Sequence, residues 1–231
     1  MIDLYKNLPA FLPEFMLAIL SLSFLLILAF HNKAQNKFSS IFVSATLLFI
    51  LFVEININHD VQSHFSGLFV SDYYTIFMKS LVIGGSLLTF FIATGKATIE
   101  DEISNEYGLL MLLSVLGMMV MISAGSMLSL YLGLELQSLC LYILAAIKRD
   151  YFKSTEAGIK YFILGSFASG MLLYGMSLIY GFAGTVEFNE IAALHTSHSL
   201  NPSFGLILGF VFFLVGLAFK IGAVPFHMWI P

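Results

Sequence analysis

The sequence predicts an all-α, polytopic transmembrane bundle of seven helices, and two observations support this fold class. The 231 residues are 59% hydrophobic and only 10% charged, with a mean hydropathy of +0.93, whereas about a quarter of an ordinary soluble domain is charged. Seven apolar runs of 18 to 27 residues are also long enough for a helix to cross a hydrocarbon core of ~30 Å, which takes ~17–25 residues. These runs are residues 9–30, 38–56, 73–95, 107–124, 126–147, 155–181 and 203–228.

Polar connections separate most of the predicted spans. Charged and amide side chains are frequent in residues 31–37 and 96–106, and polar residues interrupt the apolar pattern in 57–72 and 182–202. The fourth and fifth spans are divided only by a short turn at residues 123–126. We therefore predict seven helices joined by loops.

The seventh span carries a full charge, Lys220, and a helix breaker five residues later, Pro225, with Gly222 between them. A proline within a helix removes a backbone donor and crowds the carbonyl four residues back. We predict that this helix is broken near Gly222 and Pro225. In lipid, freed backbone groups are tolerated only where protein or a water-filled cavity satisfies them. A lysine beside such a break therefore indicates a functional site, and the alternative is a lysine whose amine extends to the headgroups.

Glu135 and Lys160 also lie inside spans, where an ionised side chain costs about 2.5–3.5 kcal/mol on insertion scales. Together with Lys220 they form an alternating series of carboxylate and ammonium groups on three consecutive helices. If the helices are adjacent, the charge on the glutamate would control whether a nearby lysine keeps its proton, as a proton-translocation unit requires. The alternatives are that Glu135 is a protonated hydrogen-bonding group between helices and that Lys160 reaches the surface, paired with Glu156 four residues before it.

Three other ionisable residues lie nearer to the ends of spans. We interpret each of them separately, Lys79, Glu14 and Glu54, as a structural residue. Lys79 lies close enough to the outward loop that its amine could also extend to the lipid headgroups.

Lysine and arginine are distributed unevenly among the connections. The connecting segments 31–37, 96–106 and 148–154 hold Lys33, Lys37, Lys96, Lys148, Arg149 and Lys153. The opposite side has Lys6 alone, and loops 57–72 and 182–202 have neither lysine nor arginine. The positive-inside rule then predicts an outward N-terminus. We expect a bacterial inner (plasma) membrane rather than a mitochondrial one.

Composition also excludes several classes of function. The net charge of −4 and the absence of a basic cluster give no support for nucleic-acid binding. Cys140 is the single cysteine, so the chain can form neither an internal disulfide nor a cysteine-based zinc or iron–sulfur site. The loop histidines have no supporting carboxylate spacing, and no metal site is predicted.

Three stretches resemble a known family. LYLGLELQSLCLYILAA, STEAGIKYFILGSFASGMLLYGMSLIYGFAGT and GLAFKIGAVPFHMWIP contain, in order, L-E-L-x-S-L-x-L-Y, E-A-x-x-K-Y-F and F-K-x-x-x-V-P-F-H-x-W. They resemble subunit N, an antiporter-like membrane subunit of proton-pumping NADH–quinone oxidoreductase (respiratory complex I). That family is related to the subunits of multi-subunit cation/proton antiporters.

The resemblance implies roles for four residues of this sequence. Glu135 corresponds to the fifth-span glutamate that modulates proton affinity, and Lys160 corresponds to the sixth-span lysine. Lys220 corresponds to the protonatable lysine of the discontinuous seventh helix, and His227 to the histidine after the break. The resemblance also implies that the chain binds no cofactor of its own, since NADH, FMN, iron–sulfur clusters and quinone belong to other subunits. The expected partners are the lipid bilayer and other membrane subunits of complex I.

Family members have about fourteen spans in two inverted halves. By that comparison, residues 1–106 are an N-terminal three-helix segment and residues 107–231 an incomplete first antiporter-like repeat with helices 4–7. We expect a fragment, a remnant, or one piece of a split protein whose companion chain carries further helices. The alternatives to a complex I subunit are a subunit of a cation/proton antiporter and a truncated remnant that does not pump.

Overall fold

The computed structural model describes residues 9–30, 36–57, 62–65, 67–97, 105–148, 150–196 and 203–229. This part of the chain forms a 3-10 turn at Pro9–Phe11, eight α-helices and a two-stranded ribbon. The helices are α1 (Leu12–Phe30), α2 (Asn36–Asn56), α3 (Tyr73–Ala97), α4 (Asn105–Ile122), α5 (Met127–Ala145), α6 (Phe152–Ala183), α7 (Phe188–Thr196) and α8 (Phe204–Lys220). The antiparallel strands are β1 (Gln62–His64) and β2 (Phe69–Ser71).

The predicted fold class is confirmed, because each of the seven predicted spans contains a helix. By length and composition, α1, α2, α3, α5 and α6 are able to cross a membrane, and α4 and α8 are shorter apolar helices. The seventh span was expected to continue to residue 228, but α8 ends at Lys220. The predicted break is therefore present and terminates the helix.

Two elements lie in the segments that were predicted as loops, namely the ribbon between α2 and α3 and the short helix α7. The strands have three residues each, too few to show a period in the sequence. The turn between them places Phe65 and Gly67 at positive φ angles of 52° and 86°. This left-handed backbone is available to glycine without strain.

The chain divides into two compact units. The first comprises residues 1–124 together with residues 132–140 of α5, and the second comprises residues 125–131 and 141–231. The predicted domain boundary at residue 106 stays a prediction, because it refers to repeats in the family.

In the first unit, α1 to α4 pack around one apolar core. Its fully buried members come from all four helices: Leu17, Phe24, Val43, Leu47, Ile50, Ile83, Leu112, Val115 and Met119. The outer faces of α1, α2 and α3 are also apolar, as at Leu22, Phe52 and Ile92, which are 58%, 65% and 62% exposed. A helix that is apolar on every side is typical of a membrane span.

Glycines allow α4 and the neighbouring part of α5 to approach closely in this unit. A Cβ atom on Gly117 would lie 2.6 Å from the backbone nitrogen of Gln137, and one on Gly133 would lie 2.7 Å from that of Met121. Small residues at such crossings are the usual basis of helix association in lipid. The crossing holds the α5 segment that carries Glu135.

In the second unit, α6 and α8 pack along much of their lengths, again on glycines. A Cβ atom on Gly175 of α6 would lie 2.6 Å from the backbone nitrogen of Phe213. A Cβ atom on Gly216 of α8 would lie 2.6 Å from the Cβ atom of Leu172. The crossing of α6 and α8 therefore requires residues without a side chain at Gly175 and Gly216. This crossing positions the end of α8.

The start of α5 is also fixed within this unit. Ser126 caps the helix, because its hydroxyl accepts a hydrogen bond from the backbone N–H of Ser129. The backbone N–H of Met127 donates to the carbonyl of Val186, and that of Phe188 donates to the carbonyl of Gly125. The residues before α7 thus form a backbone contact with the residues that open α5.

Gly175→Ala is predicted to destabilise the α6–α8 packing, because the added methyl would overlap backbone atoms of α8. Overpacking of this kind costs about 1–3 kcal/mol. Thermal unfolding of the purified chain in mild detergent would measure the loss. Gly170→Ala is the matched control on the same helix, since nothing lies within 4 Å of the position of its Cβ atom. Equal unfolding temperatures for the two variants would contradict the predicted role of Gly175.

Candidate proton-transfer site

Lys220 is the last residue of α8, and the residues after it satisfy the free end of the helix. Gly222 has a φ of 67°, its N–H donates to the carbonyl of Phe219, and the N–H of Ala223 donates to that of Ala218. This pair of bonds around a left-handed glycine is the Schellman arrangement that commonly ends helices. Pro225 follows three residues later. The break foreseen from Gly222 and Pro225 is therefore a capped helix end.

Residues 221–229 then turn back toward the helix end. The indole Nε1–H of Trp229 donates to the carbonyl oxygen of Phe219 at 2.9 Å, and the two rings lie 5.9 Å apart. A helix end inside a membrane needs such partners, because lipid offers none. Trp229 thus helps to satisfy the end of α8 beside Lys220.

The ammonium of Lys220 contacts a buried tyrosine. Its Nζ donates to the hydroxyl oxygen of Tyr142 at 3.2 Å and lies 5.7 Å from the centre of the Tyr142 ring. Tyr142 is 4% exposed, whereas Lys220 is half-buried. The partial negative charge at the C-terminal end of α8 also favours a cation at this position.

Aromatic side chains hold Tyr142 in place. The Tyr161 ring meets it edge-on with centroids 4.5 Å apart, and Phe162 meets it edge-on at 5.8 Å. Tyr161 in turn stacks on Trp229 at 4.5 Å. A Cβ atom on Gly165 would collide with the Tyr142 hydroxyl, so a glycine at that position leaves space for the hydroxyl.

The contacts around Lys220 join the three stretches that carry the family resemblance. Tyr142 closes the first motif, Tyr161 and Phe162 close the second, and Lys220 and Trp229 belong to the third. Sequence reasoning singled out Lys220 and missed Tyr142. The signal that could have identified Tyr142 in the sequence is its position within an apolar helix that also carries a glutamate.

Lys160 and His227 are located at the surface of this chain. The side chain of Lys160 is 61% exposed and pairs with the carboxylate of Glu156, as the spacing of four residues predicted. Its neighbour Tyr161, rather than Lys160, contacts Tyr142. His227 is exposed in the segment that follows α8. The roles in proton transfer predicted for both residues stay predictions.

Glu135 lies on the part of α5 that belongs to the first unit, and it is half-buried there. It follows the N-cap residue Ser126 by nine positions, which is about 14 Å along a helix. That depth is the one expected for a residue well inside a span. Its role as a modulator of proton affinity stays a prediction.

The first unit contains a buried ionic cluster that sequence reasoning did not foresee. Lys79 is 1% exposed, and Glu14 and Glu54 are both 0% exposed. The Nζ of Lys79 lies 2.6 Å from Oε1 of Glu14 and 3.7 Å from Oε1 of Glu54. Lys79 does not extend outward to the headgroups, because its ammonium pairs with two carboxylates from other helices inside the unit.

Known proteins with similar sequences point to one family. Residues 124–231 match the family described as NADH:quinone oxidoreductase/Mrp antiporter, TM. A protein of Paramagnetospirillum magneticum named NADH-quinone oxidoreductase subunit N is 45% identical over 223 residues, which are 95% of this chain and 46% of that protein. The chain thus spans about half the length of the curated relatives it matches.

Solved structures of the same architecture are found in multi-subunit membrane complexes. A chain of respiratory complex I from Thermus thermophilus gives a TM-score of 0.74 at 25% identity, covering 94% of this chain and 45% of that one. A chain of the Mrp complex from Dietzia sp. DQ12-45-1b gives the same TM-score at 24% identity, covering 96% of this chain and 43% of that one. Because its identity is only 24%, the likeness to the Mrp chain shows the fold alone.

The resemblance expected from the three motifs is thereby confirmed. By sequence and by fold, the chain is homologous to NADH-quinone oxidoreductase subunit N over about half of that protein's length, and its residues 124–231 match the NADH:quinone oxidoreductase/Mrp antiporter family.

Proposed function

We propose that the chain is a proton-translocating membrane subunit of NADH-quinone oxidoreductase in which Lys220 takes up and releases the proton. The observation that carries this proposal is the meeting of all three family motifs at one ammonium group. Lys220 contacts Tyr142 at 3.2 Å, and Tyr161 of the second motif packs against that tyrosine and stacks in turn on Trp229 of the third motif. The charge lies at a helix end within an apolar chain, where ionisable residues usually mark ion or proton routes.

The tyrosine hydroxyl suits both protonation states of the lysine. A hydroxyl oxygen accepts a hydrogen bond from an ammonium, and the same hydroxyl donates to a neutral amine. Lys220 can therefore exchange a proton while its contact with Tyr142 is kept. The rings around the hydroxyl limit the approach of water, so that nearby charges act on Lys220 more strongly than they would in bulk solvent.

We assign supporting roles to the other candidate residues. Glu135 modulates the proton affinity of the site through its charge, and Lys160 and His227 extend the proton route. Because Lys160 and His227 are exposed in this chain, neighbouring polypeptides of the complex would cover them. Glu156 pairs with Lys160 until such a neighbour competes for the ammonium.

In this proposal the redox chemistry takes place elsewhere in the complex. The chain contributes no NADH, flavin, iron–sulfur or quinone site, and conformational or electrostatic changes in other subunits drive its proton transfer. It lies in the bacterial inner membrane with its N-terminus outward. The identity of 45% with a protein named subunit N supports this assignment over a cation/proton antiporter.

The assignment can be tested by purifying the chain from its own membranes in mild detergent and identifying the polypeptides that accompany it. Co-purification with subunits that oxidise NADH is expected. Co-purification with antiporter subunits would instead support the antiporter alternative. A chain found without partners would support a remnant that does not pump.

Lys220→Met is predicted to lower NADH-driven proton uptake into inverted membrane vesicles to roughly a hundredth or less, because positioned acid–base groups contribute factors of ~10²–10⁴. The coupled NADH:quinone reduction is expected to slow, with unchanged amounts of assembled complex on native gels. Lys153→Met is the matched control, since this lysine is exposed in the first turn of α6. Wild-type proton uptake by Lys220→Met would reject Lys220 as the protonatable centre.

Tyr142→Phe is predicted to slow proton uptake less severely, by roughly tenfold, because a hydrogen bond to a charged group is worth about 1.5–3 kcal/mol. The ring and its packing against Tyr161 remain, so the unfolding temperature should change little. The pH profile of proton uptake is expected to move, since the hydroxyl contacts the titrating group directly. An unchanged rate and an unchanged pH profile would show that the hydroxyl only packs against Lys220.

A further inference from the structure

We propose that Trp229 is a positioning residue for proton transfer at Lys220, and that the surroundings of its indole change when Lys220 gains or loses a proton. The inference rests on the proposed function, because it assigns to Trp229 an effect on the residue that takes up the proton. Trp229 acts on that residue through two neighbours, the backbone of Phe219 and the ring of Tyr161.

The hydrogen bond between Lys220 and Tyr142 has a support on each side, and Trp229 contacts both supports. On the lysine side, the indole Nε1–H donates at 2.9 Å to the carbonyl oxygen of Phe219, the residue before Lys220. On the tyrosine side, the indole stacks on Tyr161 with centroids 4.5 Å apart and planes inclined by 7°, and Tyr161 meets Tyr142 edge-on at 4.5 Å. A movement of the indole would therefore displace both the donor and the acceptor of the 3.2 Å bond.

The hydrogen bond from Trp229 does more than complete the end of α8. The carbonyl oxygen of Phe219 already accepts a hydrogen bond from the N–H of Gly222 at 3.0 Å, and one such bond satisfies a buried backbone carbonyl. A carbonyl oxygen has two lone pairs and can accept a second bond. The second bond, from the indole, ties residues 221–229 to the last turn of the helix.

The side chains between the end of α8 and Trp229 give this segment little other support. Ile221, Val224 and Met228 are 80%, 80% and 84% exposed, and His227 is exposed as well. Trp229 instead packs against the Tyr161 ring of α6. A shift of residues 221–229 therefore reaches the proton-transfer site through the indole.

Coupling between two positions is reciprocal in free energy. If the place of the indole changes how tightly Lys220 holds its proton, protonation of Lys220 must change the place of the indole by the same free energy. An ammonium donates to the Tyr142 hydroxyl, whereas a neutral amine accepts from it, so the hydrogen bond reverses when the proton leaves. The contacts from Tyr142 to Tyr161 and from Tyr161 to Trp229 transmit this change.

Other titratable groups lie near these contacts along the chain and require their own variants. They are Tyr142 on α5, Glu156, Lys160 and Tyr161 on α6, and His227 after α8. Glu156 and Lys160 are exposed and pair with each other. His227 and Tyr161 are the two whose titration could act on the indole directly, because one precedes it by two residues and the other stacks on it.

Tryptophan fluorescence tests the coupling, because Trp229 is the single tryptophan of the sequence. In the full chain, purified and reconstituted in lipid nanodiscs, the emission spectrum is expected to change with pH. The transition should be lost in Lys220→Met and should remain in His227→Gln and Tyr161→Phe, which keep Lys220 and the stacked rings. The coupling would be overturned by a wild-type spectrum that does not change with pH, or by a transition that is unaltered in Lys220→Met.

Proton uptake into inverted membrane vesicles tests the positioning role. Trp229→Leu is expected to slow uptake by roughly tenfold or more, since a displacement of about 1 Å can cost ~10² in rate, and to move the pH profile. Trp229→Phe keeps a ring against Tyr161 but loses the N–H donor, so its rate should lie between the two. Phe204→Leu is the matched control, because Phe204 is 80% exposed in the first turn of α8.

The inference and the proposed function fail in different ways. If Lys220→Met loses uptake while Trp229→Leu and Trp229→Phe keep the wild-type rate and pH profile, the positioning role is overturned and the proposed function stands. A lower rate with an unchanged pH profile in both Trp229 variants would assign Trp229 to packing alone and also overturn it. If Trp229→Leu does not assemble on native gels, Trp229→Phe decides. Wild-type uptake by Lys220→Met would reject the proposed function and the positioning role together.

Discussion

The structure depends on the cost of placing charge in a chain that is apolar on nearly every surface. Each charged side chain inside a span must find a partner, because lipid supplies none and exposure at the headgroups is available only near the ends of the helices. Lys79 is neutralised by two glutamates from other helices. Lys220 has a tyrosine hydroxyl and the end of its own helix as partners. The helices are arranged so that these contacts form.

Close packing through glycine makes those contacts possible. Gly175 and Gly216 bring α6 and α8 together until backbone atoms meet, and this fixes where α8 ends and where Lys220 lies. Gly165 leaves space for the hydroxyl that Lys220 contacts. Because helices in lipid lack a hydrophobic force that would drive them together, the packing of small residues supplies much of the association. The polar contacts then select one arrangement.

The broken helix combines local and distant causes. Gly222 and Pro225 end α8 by backbone chemistry alone, and this was predictable from two residues. Trp229 donates a second hydrogen bond to the carbonyl of Phe219 and stacks on Tyr161 of another helix. At the end of α8, the side chain of Trp229 therefore both hydrogen-bonds a terminal backbone carbonyl and packs in the aromatic cluster.

The sequence by itself determined the number and approximate limits of the spans, the break after Lys220, and the resemblance to subunit N. These features follow from local properties, namely the length of apolar runs, the geometry of proline and glycine, and short motifs. The tertiary structure alone decided which residues meet. The pairing of Lys79 was not foreseen, and Tyr142 was overlooked, because their partners are distant in sequence: Glu14 precedes Lys79 on another helix, and Tyr142 precedes Lys220 by 78 residues. A hydropathy pattern shows how deep a side chain lies but leaves open which neighbouring helix it faces, and that choice is made by packing.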